Sequence, residues 1–232
     1  MRALPRSVRA ELRALPKELA DIVAAHLVAA GQLIDNDPEL AYAHAEAARR
    51  RAARLPVVRE AAAETAYAAG RYDTALSELR AIRRMTGSDD YLPMMADSER
   101  ALGRPEAALK IAKEAKQLRL DPAQRVEMIL VESGARSDLG QDAEARRILQ
   151  TAIGGLPAAA VPRLAAARLR YAYAEALLRQ GSSAEARQWF EAAAELDNDN
   201  ETDAQERVDE LDGLVLSVDP CDLEPSGSAD DS

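Results

Sequence analysis

Apolar residues return along this chain three and four apart, in paired stretches broken by single glycines. Ala62, Ala63, Ala66 and Ala69 precede Gly70, and Ala75, Leu79 and Ile82 follow it. That spacing predicts two amphipathic helices joined at the glycine. The same break recurs at Gly103, Gly140 and Gly181, reading GRYDTAL, GRPEAAL, GQDAEAR and GSSAEAR, at separations of 33, 37 and 41 residues. An alanine follows each glycine by five positions: Ala75, Ala108, Ala145 and Ala186. A glycine can take the left-handed conformation that ends the first helix, and a small residue inside the second lets the two axes approach closely. Neither helix can bury its stripe alone, so neighbouring hairpins must stack on a shared core. The pattern predicts an all-α fold, a right-handed α-solenoid of about five hairpins closed by a C-terminal capping helix.

These residues resemble the tetratricopeptide repeat (TPR) family, whose unit of about 34 residues has a glycine at the turn and small residues in both helices. With glycine at repeat position 15, position 8 holds Ala63, Ala96, Ser133 and Ala174, position 20 the four alanines above, and position 27 Ile82, Ala115, Ala152 and Ala193. The turn aromatic survives only as Tyr72, and Pro157 is the only proline at the closing position. A more divergent first hairpin is expected from Lys17 to Ala30 with Gly31 as its stop, an inserted IDNDP loop, and Pro38 to Leu55. The resulting division is an N-terminal segment with a short helix at 1–16, the repeats at 17–196, a capping helix at 197–217 and a disordered acidic tail at 218–232. Thr202 is the expected cap of that last helix, with Val208, Leu211 and Val215 on its buried face.

Charge divides the same way. The whole chain carries −10, but residues 1–196 sum to +2 and residues 197–232 to −12. The tail's Pro, Gly, Ser and Asp leave little to bury. No apolar run reaches a membrane-spanning length, and MRALPRSVRAELRALP lacks the continuous apolar core of a secretory signal. Cys221 is the one cysteine, so an intrachain disulfide framework is excluded. The expected compartment is the cytoplasm.

The resemblance implies that the first helix of each hairpin lines a concave groove. Its ligand-facing positions carry Glu18, Asp21, Glu60, Glu64, Asp90, Asp97, Glu127, Asp138 and Glu175, opposed by Arg100, Arg168 and Arg179. Second helices carry Arg49, Arg50, Arg51, Arg54, Arg80, Arg83, Arg84, Lys110, Lys113, Arg146 and Arg147. An acidic groove and a basic outer face are therefore expected. The residues expected to touch a partner are Glu60, Glu64, Tyr67, Asp97, Arg100, Tyr171, Glu175 and Arg179. Where members of the family clamp a terminal carboxylate with lysine, this chain has Asp21, Glu60, Pro93, Leu130 and Tyr171, which argues against that use.

Sites for chemistry are few. His26 and His44 stand in the first hairpin without a ligand cluster, and read as half-buried helix residues. The run Asp197, Asp199, Glu201, Asp203 lacks the central glycine of a calcium loop. Phosphate loops, nucleophile elbows and zinc-protease pairs are missing, and Cys221 lies among acids, which raise a thiol's pKa. Trp189 and Phe190 read as core. Aromatics at 3% provide no stacking platform for nucleic acid. The expected function is a non-catalytic protein-interaction scaffold or adaptor that needs no metal or cofactor and holds a segment of another protein, basic in character, in the groove. The alternative is a regulatory or assembly subunit that uses the basic outer face, with the acidic tail competing for it in cis.

Overall fold

The structure, a computed structural model, describes residues 3–156 and 160–214. Among these, every regular element is a helix: α1 (Arg6–Leu12), α2 (Lys17–Leu33), α3 (Pro38–Ala52), α4 (Pro56–Ala68), α5 (Tyr72–Thr86), α6 (Leu92–Ala101), α7 (Pro105–Ala115), α8 (Pro122–Asp138), α9 (Asp142–Gly155), α10 (Arg163–Arg179), α11 (Ser183–Ala194) and α12 (Ala204–Leu211). Each helix from α2 to α12 packs on the next. Three pairs one helix apart, α2/α4, α6/α8 and α8/α10, also pack directly, and no pair of odd-numbered helices does so to a comparable extent. Even-numbered helices thus draw together on one side, which becomes the concave face of an α-solenoid of five hairpins.

Four of the five hairpins turn in one way. Gly70, Gly103, Gly140 and Gly181 have φ of 69°, 71°, 71° and 79°. The next residue donates its backbone N–H five residues back, Arg71 to Ala66, Arg104 to Glu99, Gln141 to Arg136 and Ser182 to Leu177, at 2.8–3.0 Å. This closes the helix C-terminus in a Schellman motif, for which the left-handed residue is required. Beyond the turn the small columns meet: all twelve side chains at positions 8, 20 and 27 are buried. Between α8 and α9 the approach is close enough that the Ser133 hydroxyl donates to the Ala145 carbonyl at 3.2 Å.

The first hairpin differs from the expectation. Helix α2 runs through Gly31 to Leu33, because Gly31 keeps helical backbone angles and its surroundings are open. The chain then turns where Asp37 accepts from the Leu40 N–H at 3.0 Å and Pro38 begins α3. At the other end α12 covers the last repeat with Val208 buried and Leu211 packed beside it on the cluster around Phe190. Thr202 does not cap it. Asp203 holds the N-cap position, and Thr202 donates instead to the buried Asp197 carboxylate at 2.6 Å, which also takes the backbone N–H groups of Glu201 and Thr202. Val215, Pro157 and the tail at 218–232 lie outside the described residues.

Buried glutamates fasten neighbouring units. Glu78 meets Arg59 and Arg49, Glu99 meets Arg80 at 2.6 Å and Arg104 at 3.4 Å, and Glu132 meets Lys116 at 2.7 Å. With Arg83 on Asp89 and Glu114, and Arg147 on Glu144, much of the outer-face positive charge is matched by carboxylates within the protein. Arg51, Arg54, Arg84, Lys110, Lys113 and Arg146 make no ion pair among the described residues, Arg51 donating instead to the Ala47 carbonyl. The outer face is consequently less basic than its composition suggests.

Candidate functional site

The concave side of α4, α6, α8 and α10 encloses a groove of about 700 Å³. Tyr67, Asp97, Arg100, Glu127 and Arg168 form its polar floor, and Tyr91, Pro93, Met94, Leu130 and Val131 its apolar parts. Leu130 and Arg168 also line an adjoining hollow of about 510 Å³, walled by Tyr171, Ala172 and the turn Glu201–Asp203 before α12. The two spaces form one trough along the inner helices.

Most of its charges are already matched across repeats. The Tyr67 hydroxyl donates to Asp97 of the next unit. Arg100 donates through Nε to Asp138 at 2.6 Å and through Nη1 to Asp97 at 3.2 Å. Arg168 binds Glu127 at 2.6 Å, Arg207 of the capping helix binds Glu175 at 2.8 Å, and Arg179 lies 3.7 Å from Asp142. Burial and the hydrogen bond to Asp97 push the Tyr67 hydroxyl far above its ordinary value, so it stays a neutral donor.

One end is different. Glu60 and Glu64, one turn apart on α4, have no cationic partner among the described residues. Burial raises the Glu60 carboxyl first, and the nearby Glu11, Glu64 and Asp90 raise it further. Glu64 is exposed, yet the protein crowded around its carboxyl raises it too, against a hydrogen bond from Tyr91, which lines the groove. Asp90 is held below the usual range by hydrogen bonds from Ser88 and Gln124. Three carboxylates thus act on Glu60, and one of them, Glu11, is also engaged with the Val57 N–H at 3.2 Å.

The structure thus gathers Tyr67, Asp97 and Arg100 in the main groove and Tyr171 in the adjoining hollow. Glu60 and Glu64 stand outside the lining residues, beside Asp90 and Tyr91 at one end, and Glu175 and Arg179 are tied to the capping helix and to α9. Sequence reasoning missed Tyr91, Met94 and Gln124. Gln124 had a readable signal: it completes a capping box with Asp121, and the same side chain reaches Asp90 at 3.2 Å. His26 and His44 face each other with Nδ1 atoms 3.0 Å apart, one donating to the other. Among the described residues no group of three or more His, Cys, Asp or Glu could hold a metal ion, and no helix is long and apolar enough to cross a membrane.

No family model matches this chain, and no curated protein does. Among solved structures it is similar to the TPR domain of P58(IPK), determined at 2.5 Å, with 19% identity and a TM-score of 0.41 over 83% of this chain. The match spans 55% of that domain's chain.

Proposed function

We propose that the protein is a non-catalytic interaction module that holds a segment of another protein in the trough along α4, α6, α8 and α10. The segment places a lysine or arginine against Glu60 and Glu64. The observation that carries this reading is the contrast between the acids at this end, Glu60, Glu64 and Asp90, which have no cation among the described residues, and four other acids of the inner helices. Asp97, Asp138, Glu127 and Glu175 each have an arginine within 3.2 Å. Glu60 is half-buried and feels the negative charges of Glu11, Glu64 and Asp90, and neither it nor the more exposed Glu64 has a cation among the described residues. Holding like charges side by side costs free energy that an incoming cation recovers, and the attraction grows as the bound segment excludes water. The groove itself offers apolar surface from Pro93, Met94 and Leu130, as a peptide side chain needs.

The test is an immobilised peptide array graded in lysine and arginine content, probed with the full chain. Binding should rise with basic content and weaken with salt, and the Glu60→Gln/Glu64→Gln variant should lose about tenfold in affinity for the best basic peptide. Binding indifferent to base content, or equal in the variant, rejects the reading.

A further inference from the structure

At repeat position 9, facing the groove, the four glycine-turn units carry Glu64, Asp97, Gly134 and Glu175. Three are acids, and the third unit instead has a glycine in the middle of α8, where glycine disfavours the helix relative to alanine. The reason is spatial. A Cβ on Gly134 would stand 2.7 Å from Cζ, 2.8 Å from Nε and 3.0 Å from Nη1 of Arg100, reaching over from α6. The guanidinium occupies the space a side chain at 134 would take, fixed by Asp138 through Nε and by Asp97 through Nη1. Its Nη2 makes no hydrogen bond among the described residues and is not among the buried polar atoms left without a partner, so it is a free donor on a residue that lines the groove.

We infer that Arg100 is a preset hydrogen-bond donor to a main-chain carbonyl of the bound segment, and that Gly134 is the positioning residue that admits it. The inference rests on the groove reading above and deepens it. Two carboxylates already neutralise the guanidinium, so a carboxylate or phosphate ligand would meet repulsion from Asp97 and Asp138. A neutral acceptor meets none. The peptide carbonyl is the strong neutral acceptor that every residue of a chain brings. A helical ligand has its carbonyls engaged internally, so the occupant is an extended segment. Arg100 then grips the chain irrespective of sequence, while Glu60 and Glu64 read its charge.

The experiment uses the best basic peptide from the array and the charge-preserving variants Gly134→Ala and Arg100→Lys. A Cβ at 134 displaces the guanidinium, a flexible group, so Gly134→Ala should melt no lower than wild type while affinity falls about tenfold. Arg100→Lys, which lacks the planar fork, should lose a similar factor. A series of peptides with single amide-to-ester replacements, each weakening one carbonyl, should show one sensitive position with wild type and none with Gly134→Ala. Full affinity in Gly134→Ala, or an ester series flat with wild type, overturns the inference and leaves the groove reading standing. If no array peptide binds wild type, the groove reading fails and this inference fails with it.

Discussion

Replacing Ala145 with leucine tests the packing that shapes the groove. Ala145 is fully buried, and the Ser133 hydroxyl across the hairpin reaches its carbonyl at 3.2 Å. Two helices held that closely leave no volume for three added carbons. Either the leucine adopts a strained rotamer or α9 moves away from α8, and overpacking of this kind costs about 1–3 kcal/mol. In a domain of this size each kcal/mol lowers the melting temperature by about 2–4 °C, which sets the expected drop at about 2–12 °C. Far-UV circular dichroism melts would measure it, with Ala25→Leu on the exposed face of α2 as the control. Ser133→Leu, on the opposite wall, should cost the same order. If Ala145→Leu melts with wild type, or if Ala25→Leu falls as far, the small columns do not set the interhelical distance and the repeat register is wrong.

Gly103→Ala should destabilise by about 1–2 kcal/mol through the backbone alone, since φ is 71° and an added Cβ would meet nothing within 4 Å. Gly31→Ala, at a helical position equally open, should instead stabilise by about 0.5–1 kcal/mol, and paired thermal melts distinguish the two. His26 has its pKa lowered by burial, then by His44 and Arg51, so the unfolded chain binds protons there more readily than the folded one. Stability should therefore fall as pH drops below the ordinary histidine value of 6.5, and His26→Gln should flatten that fall relative to wild type. Equal pH profiles for the two proteins would contradict it. Glu60, Glu64 and Glu127, raised by burial, work in the opposite direction at lower pH, and the difference between the two proteins cancels their part.

The hairpins were legible because glycine conformation and small-residue columns are local signals repeated four times. Gly31 misled for a physical reason: a glycine stops a helix only when the chain takes the left-handed conformation there, and the stronger stop was Asp37 with Pro38. Thr202 misled because the Asp197 carboxylate competes for its hydroxyl. The groove's composition could be read from the repeat register, but its pairing could not, since each pair joins different units. Arg100 meets Asp138 and Arg168 meets Glu127, 38 and 41 residues away. The second pair left a trace, as Glu127 and Arg168 occupy the same repeat position in successive units with opposite charge. The consequence for Glu60 and Glu64 was hidden: nothing along the chain shows that they, like the neighbouring Asp90, go without a cation while Asp97, Asp138, Glu127 and Glu175 find arginines.

Site-specific photo-crosslinking tests the central claim most directly. A benzoylphenylalanine placed at Met94 lies in the groove, and one placed at Arg84 lies on the outer face. With the best basic peptide bound, the Met94 position should crosslink to it in a salt-sensitive manner, and the Arg84 position should not. Crosslinking from Arg84 with none from Met94 would move the binding surface to the outer face and contradict the account.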